Sequence, residues 1–512
     1  MSATQPVSYD HEERMLLDGQ LRAARDGATL AVTNPATGET IGCAADAGAT
    51  DMDEAIAAAR RAFDTTSWST DVELRQRCLR QLHAAIMSEV EDLRAELVAE
   101  VGAPLVTTYM AQLDWPLSDG LGWPAQAVGE LSWHRTLPDS SLMGVTSMRH
   151  VIKEPVGVVA GIIPWNFPFE ILINKLGPIL ATGNTVIIKA ASETPWNALR
   201  IGRLIAEQTD IPAGVVNIIT TADNAVAQRL ITDPRVDMVS FTGSTRTGQL
   251  IVERSASTFK RLLLELGGKS AGIILDDADL DAALPSAMSA CMHAGQGCAL
   301  PTRLLVARSR YDDAVARLEQ VYAAIPYGDP ADPGVFCGPL ITEKQRRTVL
   351  EYIAAGVAEG AKLVVGGKIP DDQPRGYFVQ PTLFADVDNS STISQSEIFG
   401  PVLSVTPFDD DADAVRIAND SVYGLSGNVF TTSPDRALSV ARGVRTGSFM
   451  VNGGMFYSAD SPYGGYKHSG IGRQGGLEGL ETYLETKAVA TTLPLEIPVV
   501  ADTNHIDIRN PK

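Results

Sequence analysis

A chain of 512 residues is too long for one ordinary core, so two or three domains are expected. With 45% hydrophobic and 20% charged residues, the composition excludes an intrinsically disordered protein. A formal charge of −20, with no basic patch, argues against a nucleic-acid binder and against an anionic membrane surface as partner.

The first ten residues are polar and lack the basic-then-apolar pattern of a secretory signal. No apolar run reaches the length of a membrane span; even 156–169 is broken by Pro164 and Asn166. Residues 51–64 and 71–100 carry Ala, Leu and Val at helical spacing, with Thr50 and Asp53 as the capping pair of the first helix. From residue 156 the pattern changes. Short apolar, β-branched runs at 156–162, 185–189, 215–219, 238–241 and 262–266 predict strands, and 168–182, 196–208, 223–231 and 244–254 predict helices between them. Such alternation means βαβ units in a parallel, doubly wound sheet with right-handed crossovers. A second alternating block runs from about Ala271 to Tyr483, with strands at 303–307 and 402–407 and a loop at 366–376. Two extended segments, 140–153 and 487–500, fit neither block. Paired together, they would form a small projecting sheet suited to contact between copies.

The five cysteines, Cys43, Cys78, Cys291, Cys298 and Cys337, are odd in number, scattered and without CxxC spacing. That is a reduced, cytoplasmic pattern with neither a disulfide frame nor a metal site.

Several stretches carry candidate chemistry. Glu265 stands in the apolar run Leu262-Leu263-Leu264-Glu265-Leu266, where a buried carboxylate is costly unless paired or functional. About thirty residues on, Cys298 follows Gly295-Gln296-Gly297, a flexible setting that leaves the sulfur accessible. A thiol nucleophile with a carboxylate base suits covalent chemistry on a carbonyl. Most free cysteines are small core hydrophobes, and Cys291 is assigned to that class. Asn166, within Pro164-Trp165-Asn166-Phe167-Pro168, sits in a strand-to-helix turn made rigid by two prolines, so its amide is a candidate oxyanion donor or a helix cap. Phe241-Thr242-Gly243-Ser244-Thr245 ends one strand and starts a helix, an anion site for pyrophosphate or a plain N-cap. Lys189 ends the earlier strand at 185–189, at the edge where such sheets bind ligands, to hold ribose hydroxyls or phosphate or as a plain solvated strand end. Gly470-Ile471-Gly472-Arg473-Gln474-Gly475 matches GxGxxG by letter, but no strand leads into it, and it is rejected as a nucleotide loop.

Together these residues resemble the aldehyde dehydrogenase superfamily. The Trp165-Asn166, Gly243-Ser244, Glu265-Leu266-Gly267-Gly268-Lys269, Gln296-Gly297-Cys298, Glu397-Ile398-Phe399-Gly400-Pro401 and Pro462-Tyr463-Gly464-Gly465 motifs stand in the family's order, and the match covers roughly 34–490. The resemblance implies an aldehyde dehydrogenase-like α/β fold with two doubly wound parallel-sheet domains and a small bridging β-sheet. The implied division is a dinucleotide-binding domain of 1–139 plus 154–266, a catalytic domain of 267–483, and an oligomerisation sheet of 140–153 plus 484–512. It also implies a Cys298 thiohemiacetal held by Asn166, a thioester, and hydrolysis assisted by Glu265, whose presence favours water over coenzyme A. The implied cofactor residues are Ile162, Trp165, Lys189, Ser192, Gly243, Ser244, Leu266, Glu397 and Phe399. Dimers or tetramers follow from the same likeness.

One departure concerns the cofactor. Many NAD-preferring relatives carry Glu where Ser192 stands; serine removes a charge that would repel a 2′-phosphate. NAD is favoured, since Glu193 adjoins and no Lys or Arg follows closely, while NADP stays open. Trp123, Met292, Met455, Phe456 and Tyr457 fall near positions that line the substrate tunnel in relatives, which favours an apolar aliphatic, terpenoid or aromatic aldehyde. Semialdehyde oxidation is the alternative within the class and would want an arginine in the tunnel. A thiol hydrolase would want a Cys–His pair, with His293 the nearby histidine. A silent binding protein on the same fold would have lost Cys298, Glu265 or Asn166.

Overall fold

The computed structural model describes residues 11–495; the N-terminal ten and the ends of the 487–500 and 484–512 segments lie outside it. Among the described residues, the largest sheet holds eight strands. Its centre is a parallel array in the order Arg261–Glu265, Met238–Thr242, Val158–Ile162, Thr185–Ala190 and Val216–Thr220. These are continuous apolar runs, with Val158, Val159, Ile187, Ile188 and Ile218 fully buried, as a parallel sheet covered on both faces requires. Strand order reverses between Val158–Ile162 and Met238–Thr242, the switch point where open α/β sheets leave a crevice. Register aligns the crevice edge: Ile162 pairs with Lys189 on one side and Phe241 on the other, and Thr242 pairs with Glu265.

A second sheet of seven strands, parallel except at Lys362–Val365, carries Ala271–Ile274, Arg303–Ala307 and Val402–Phe408 in its middle. The strands His134–Leu142, Val145–Pro155 and Leu484–Thr491 form a separate antiparallel sheet. Its hairpin begins at His134, and its tip at Met143 and Gly144 has positive φ. No helix among the described residues is long and apolar enough to cross a membrane.

Some local expectations are corrected. The first helix, Ala49–Thr65, is capped by Gly48, whose N–H donates to Asp51 at 2.9 Å, so Thr50 and Asp53 are not the box. The 71–100 stretch is not one helix. Val72–Ser88 ends at Glu89, whose carboxylate is drawn off to Arg200 and Arg203, and Val90–Glu96 then loosens into a π turn, Leu97–Val101. The rejected glycine turn contains a two-residue strand, Gly470–Ile471, which pairs with Leu264 and Glu265 and closes the edge of the large sheet. That edge role explains a glycine at 470, where a Cβ would stand 2.0 Å from the Leu264 carbonyl oxygen.

Candidate active site

Glu265 ends its strand at the crevice edge, 4% exposed, and neither carboxylate oxygen has a hydrogen-bond partner. Burial pushes its carboxyl well above the usual range; the charges of Lys175 and Arg473 oppose that only in part. Lys175 is fully buried on the helix Pro168–Ala181, donates to Ser240 Oγ at 3.0 Å, and is pulled down to about 8 by burial. Gly464 lies against the same carboxylate: a Cβ there would stand 2.8 Å from Glu265 Oε1.

Cys298 reaches this centre from a loop built by backbone strain. The preceding helical segment unwinds at Met292, and His293, Ala294 and Gly295 all take left-handed φ of 49°, 53° and 72°. Gly295 and Gly268 permit close approach of chains: a Cβ on Gly268 would meet the Cys298 carbonyl oxygen at 2.5 Å. Cys298 Sγ is half-buried and lies 3.5 Å from the Tyr463 hydroxyl. Burial pushes its thiol up to about 12; Tyr463 lowers it, while Glu397, Glu170 and Glu265 raise it further. Cys291, fully buried in the core of the second sheet, has no such setting.

Asn166 joins the same centre. Its Nδ2 donates to the Gln296 carbonyl at 2.8 Å, and its own carbonyl accepts from Gln112 Nε2 at 2.8 Å. One amide proton is thereby committed, which leaves the other for a developing oxyanion. His293 makes no pair with the thiol. Its ring packs edge-on to Phe167, both ring nitrogens lack hydrogen-bond partners, and burial pulls it down to about 4.

On the other side of Gly267-Gly268 lies Glu397. It accepts from the Gly268 N–H at 3.0 Å and fills the space that a Cβ on Gly267 would take, 2.1 Å from Oε2. Burial raises its carboxyl to about 7, against the Gly268 bond and the Lys269 charge. Phe399, in the left-handed region at φ 56°, meets the Trp165 ring edge-on at 5.5 Å. Leu266 packs over Gly248 at the start of the helix Thr245–Ser255.

That helix is capped by Ser244, which accepts from the Thr247 N–H at 3.3 Å. The Gly243 N–H donates to the Glu265 carbonyl at 3.0 Å, so it is not a free anion donor; the anion reading passes to Ser244 and the next helix N–H groups. Lys189 is half-buried beside Glu193 and Asp46, and the Ser192 hydroxyl donates to Glu193 at 3.1 Å. Thr242 Oγ1, at the strand end in the crevice, is buried without a partner. An orphaned hydroxyl, a lysine and a helix N-terminus at a sheet switch point fit a dinucleotide.

Tyr463, the residue in contact with Cys298, also lines a pocket of about 320 Å³ with Trp115, Asp119, Trp123, Asn174, Met455, Phe456 and Tyr457 among others. Met292, partly buried where the helix unwinds, packs against the core of the large sheet. Sequence reasoning missed Tyr463 and Glu170. The Glu170 carboxylate accepts from Tyr457 Oη and from Asn174 Nδ2, and burial raises it to about 8. Its signal was present as an acid in the otherwise apolar start of the helix Pro168–Ala181.

Residues 22–489 match the aldehyde dehydrogenase family. The chain is 41% identical to 3-succinoylsemialdehyde-pyridine dehydrogenase of a Pseudomonas species, over 92% of this chain and 97% of the relative. It is 38% identical to geranial dehydrogenase of Castellaniella defragrans, over 94% and 99% respectively. A crystal structure of Mycobacterium tuberculosis aldehyde dehydrogenase complexed with NAD+ superposes with a TM-score of 0.90 at 39% identity, covering 96% of this chain and 100% of that one.

Proposed function

The chain belongs to the aldehyde dehydrogenase family and oxidises an aldehyde to the acid with NAD(P), and on that premise we propose that Cys298, Glu265 and Asn166 carry the reaction. The observation that carries the assignment is how a strained thiol loop, a partnerless buried carboxylate and a tethered amide are linked: Cys298 touches Tyr463, Glu265 lies against the next residue, Gly464, and Asn166 is tied to Gln296 in the thiol loop. Glu265 takes the Cys298 proton, directly or through one water, and the thiolate attacks the aldehyde carbon. The Sγ–C bond forms, and the carbonyl oxygen takes the charge, held by the uncommitted Asn166 N–H and the Cys298 backbone N–H. Loss of hydride from that carbon leaves a thioester on Cys298. The nicotinamide, when bound, supplies the hydride acceptor. Glu265 first passes the thiol proton to solvent and then, ionised again, removes a proton from water, which adds to the thioester carbon; the Sγ–C bond breaks, the acid leaves, and the Cys298 thiolate takes the proton back from Glu265.

Ile162, Trp165, Lys189, Ser192, Ser244, Leu266, Glu397 and Phe399 would hold the dinucleotide, with Gly243 contributing close backbone approach and not its N–H. NAD is the preferred form in this reading, because Glu193 keeps a carboxylate beside Lys189 where Ser192 lacks one. The substrate is proposed to be an apolar or aromatic aldehyde. Trp115, Trp123, Met455 and Phe456 supply ring and thioether surface, and the lining includes Asp119 but neither Lys nor Arg, which disfavours a carboxylate-bearing semialdehyde. Geranial, in one relative's name, agrees with that class, while the succinoylsemialdehyde in the other's belongs to the alternative.

The domain division given above belongs to the same proposal, as does a homo-oligomer, dimer or tetramer, built through the antiparallel sheet. Support comes from the hairpin tip, where Leu142 is 74% and Met143 94% exposed. A cytoplasmic setting suits the five free thiols. The test is NADH or NADPH production at 340 nm with hexanal, benzaldehyde and succinic semialdehyde, on the native chain and Cys298→Ala. Reduction that needs Cys298 and favours the neutral aldehydes supports the reading. A higher kcat/KM for succinic semialdehyde would sink the substrate class, and activity retained by Cys298→Ala would sink the mechanism.

A further inference from the structure

Reactive thiols commonly sit beside a cation, a histidine or a helix N-terminus that stabilises the thiolate. Cys298 has a different neighbourhood. The charged side chains that act on it most strongly, Glu397, Glu170 and Glu265, are acids and oppose its ionisation. The side chain that favours ionisation is Tyr463, whose hydroxyl lies 3.5 Å from Sγ.

Tyr463 is held for that contact. Its backbone is clamped to Gln474 in both directions, N–H to carbonyl at 2.6 and 2.7 Å. Its ring stacks on Phe456 at 5.9 Å and 22°, on the wall of the substrate pocket. The next residue, Gly464, is the one against which the Glu265 carboxylate lies. A single rigid bridge thus carries the phenol to the nucleophile and touches the base.

We propose that the Tyr463 hydroxyl is a catalytic hydrogen-bond donor to the Cys298 thiolate, holding its charge and fixing its aim into the pocket. This rests on the reading of Cys298 as nucleophile. The phenol gives up no proton. Glu265 takes the thiol hydrogen, and the Tyr463 O–H turns toward Sγ while the negative charge resides there. As the Sγ–C bond forms, the charge passes to the carbonyl oxygen and the contact weakens. A hydrogen bond to the charged form of a group favours that form, so removing the donor must raise the pH at which the thiolate appears. Glu265, Glu170 and Glu397 face the same sulfur and are left in place by the test.

The experiment is the pH dependence of Cys298 alkylation by iodoacetamide, located by mass spectrometry, in the native chain, Tyr463→Phe and Cys298→Ala. Tyr463→Phe keeps the ring stacked on Phe456 and removes the oxygen alone. The alkylation midpoint is expected to rise by about one pH unit, with about a tenfold fall in kcat/KM for hexanal, the scale of one hydrogen bond to a charged group. The KM for NAD is expected to stay within twofold. In a second variant, 3-fluorotyrosine at position 463 keeps the hydroxyl and makes it a stronger donor, which should move the midpoint down. Unmoved midpoints in both variants, with Cys298 still alkylated, overturn the inference alone. Activity that survives Cys298→Ala overturns the nucleophile reading beneath it.

Discussion

Asn166 is tied to Gln296 by a 2.8 Å hydrogen bond from side-chain Nδ2 to backbone carbonyl, across 130 residues of sequence. The turn that carries the amide is therefore fastened to the loop that carries Cys298, two residues further on. One N–H spent on that tie orients the other. Asn166→Ala should lower kcat about 100-fold or more, the usual loss for one oxyanion donor, with the KM for NAD little changed. Steady-state kinetics with hexanal check it; a fall confined to KM would mean that the amide acts on binding and not on the oxyanion.

Glu397 occupies the volume that any side chain on Gly267 would need, with 2.1 Å from a Cβ to Oε2. In Gly267→Ala the carboxylate must give way, since it ends a flexible chain, and its 3.0 Å bond from the Gly268 N–H goes with it. About 1–3 kcal/mol of stability is expected to be lost to overpacking. The KM for NAD should rise about tenfold while the rate of Cys298 alkylation is retained. Equal losses in both would place the damage at the thiol instead.

Glu265 acts as a base only when ionised, and burial holds its carboxyl well above the ordinary range. Thioester hydrolysis should therefore speed up as pH rises toward that raised value, and Glu265→Gln should lose the limb. A burst of one NADH per site, itself slowed because the thiol loses its base, followed by a steady rate at least about 100-fold lower is expected from the variant. Stability has the opposite sign. Above the ordinary carboxylate pKa the unfolded chain ionises this group while the folded chain keeps it protonated, so native stability falls as pH rises to the folded value. Glu265→Gln removes that cost, and its Tm advantage should be larger at pH 8 than at pH 4. A constant Tm difference across that range would contradict the raised value.

The Ser192 hydroxyl donates to Glu193 at 3.1 Å, so a carboxylate remains near Lys189 although position 192 is uncharged. Glu193→Gln should raise kcat/KM for NADP roughly tenfold by removing like-charge repulsion from a 2′-phosphate, with NAD changed less. Parallel titrations with the two dinucleotides decide; equal changes would assign Glu193 to Lys189 alone.

What the sequence revealed and what it hid differ by a physical rule. Glu265 in an apolar strand and Cys298 in a glycine loop violate local expectation, and such violations mark chemistry. The parallel strands were legible because residues buried on both faces leave continuous β-branched runs. Tyr463 was hidden because an aromatic residue fits a core equally well; its hydroxyl gains meaning only when folding brings Cys298 to it across 165 residues. The unwinding at Met292 was hidden because three consecutive left-handed residues follow it, a conformation that periodicity does not encode. The break at Glu89 was invisible for a related reason, since its cause is two arginines on a distant helix.

Glu170 gives the pocket a pH response of its own. Tyr457 Oη and Asn174 Nδ2 both converge on its carboxyl from the pocket wall. Burial raises it to about 8, opposed by the Asn174 bond and the Lys175 charge, so it is chiefly neutral at pH 7. Above pH 8 it becomes an anion beside a mostly apolar cavity. The KM for hexanal should then rise several-fold between pH 7 and 9.5, and Glu170→Gln, which cannot ionise, should flatten that rise. An aldehyde bearing a quaternary ammonium should respond in the opposite sense, its KM falling as the carboxylate forms behind Tyr457 and Asn174. KM is the quantity to compare, because ionisation of Cys298 and Glu265 also moves kcat over this range. Parallel slopes for hexanal in the native chain and Glu170→Gln would remove Glu170 from substrate recognition and leave it a tether for Tyr457.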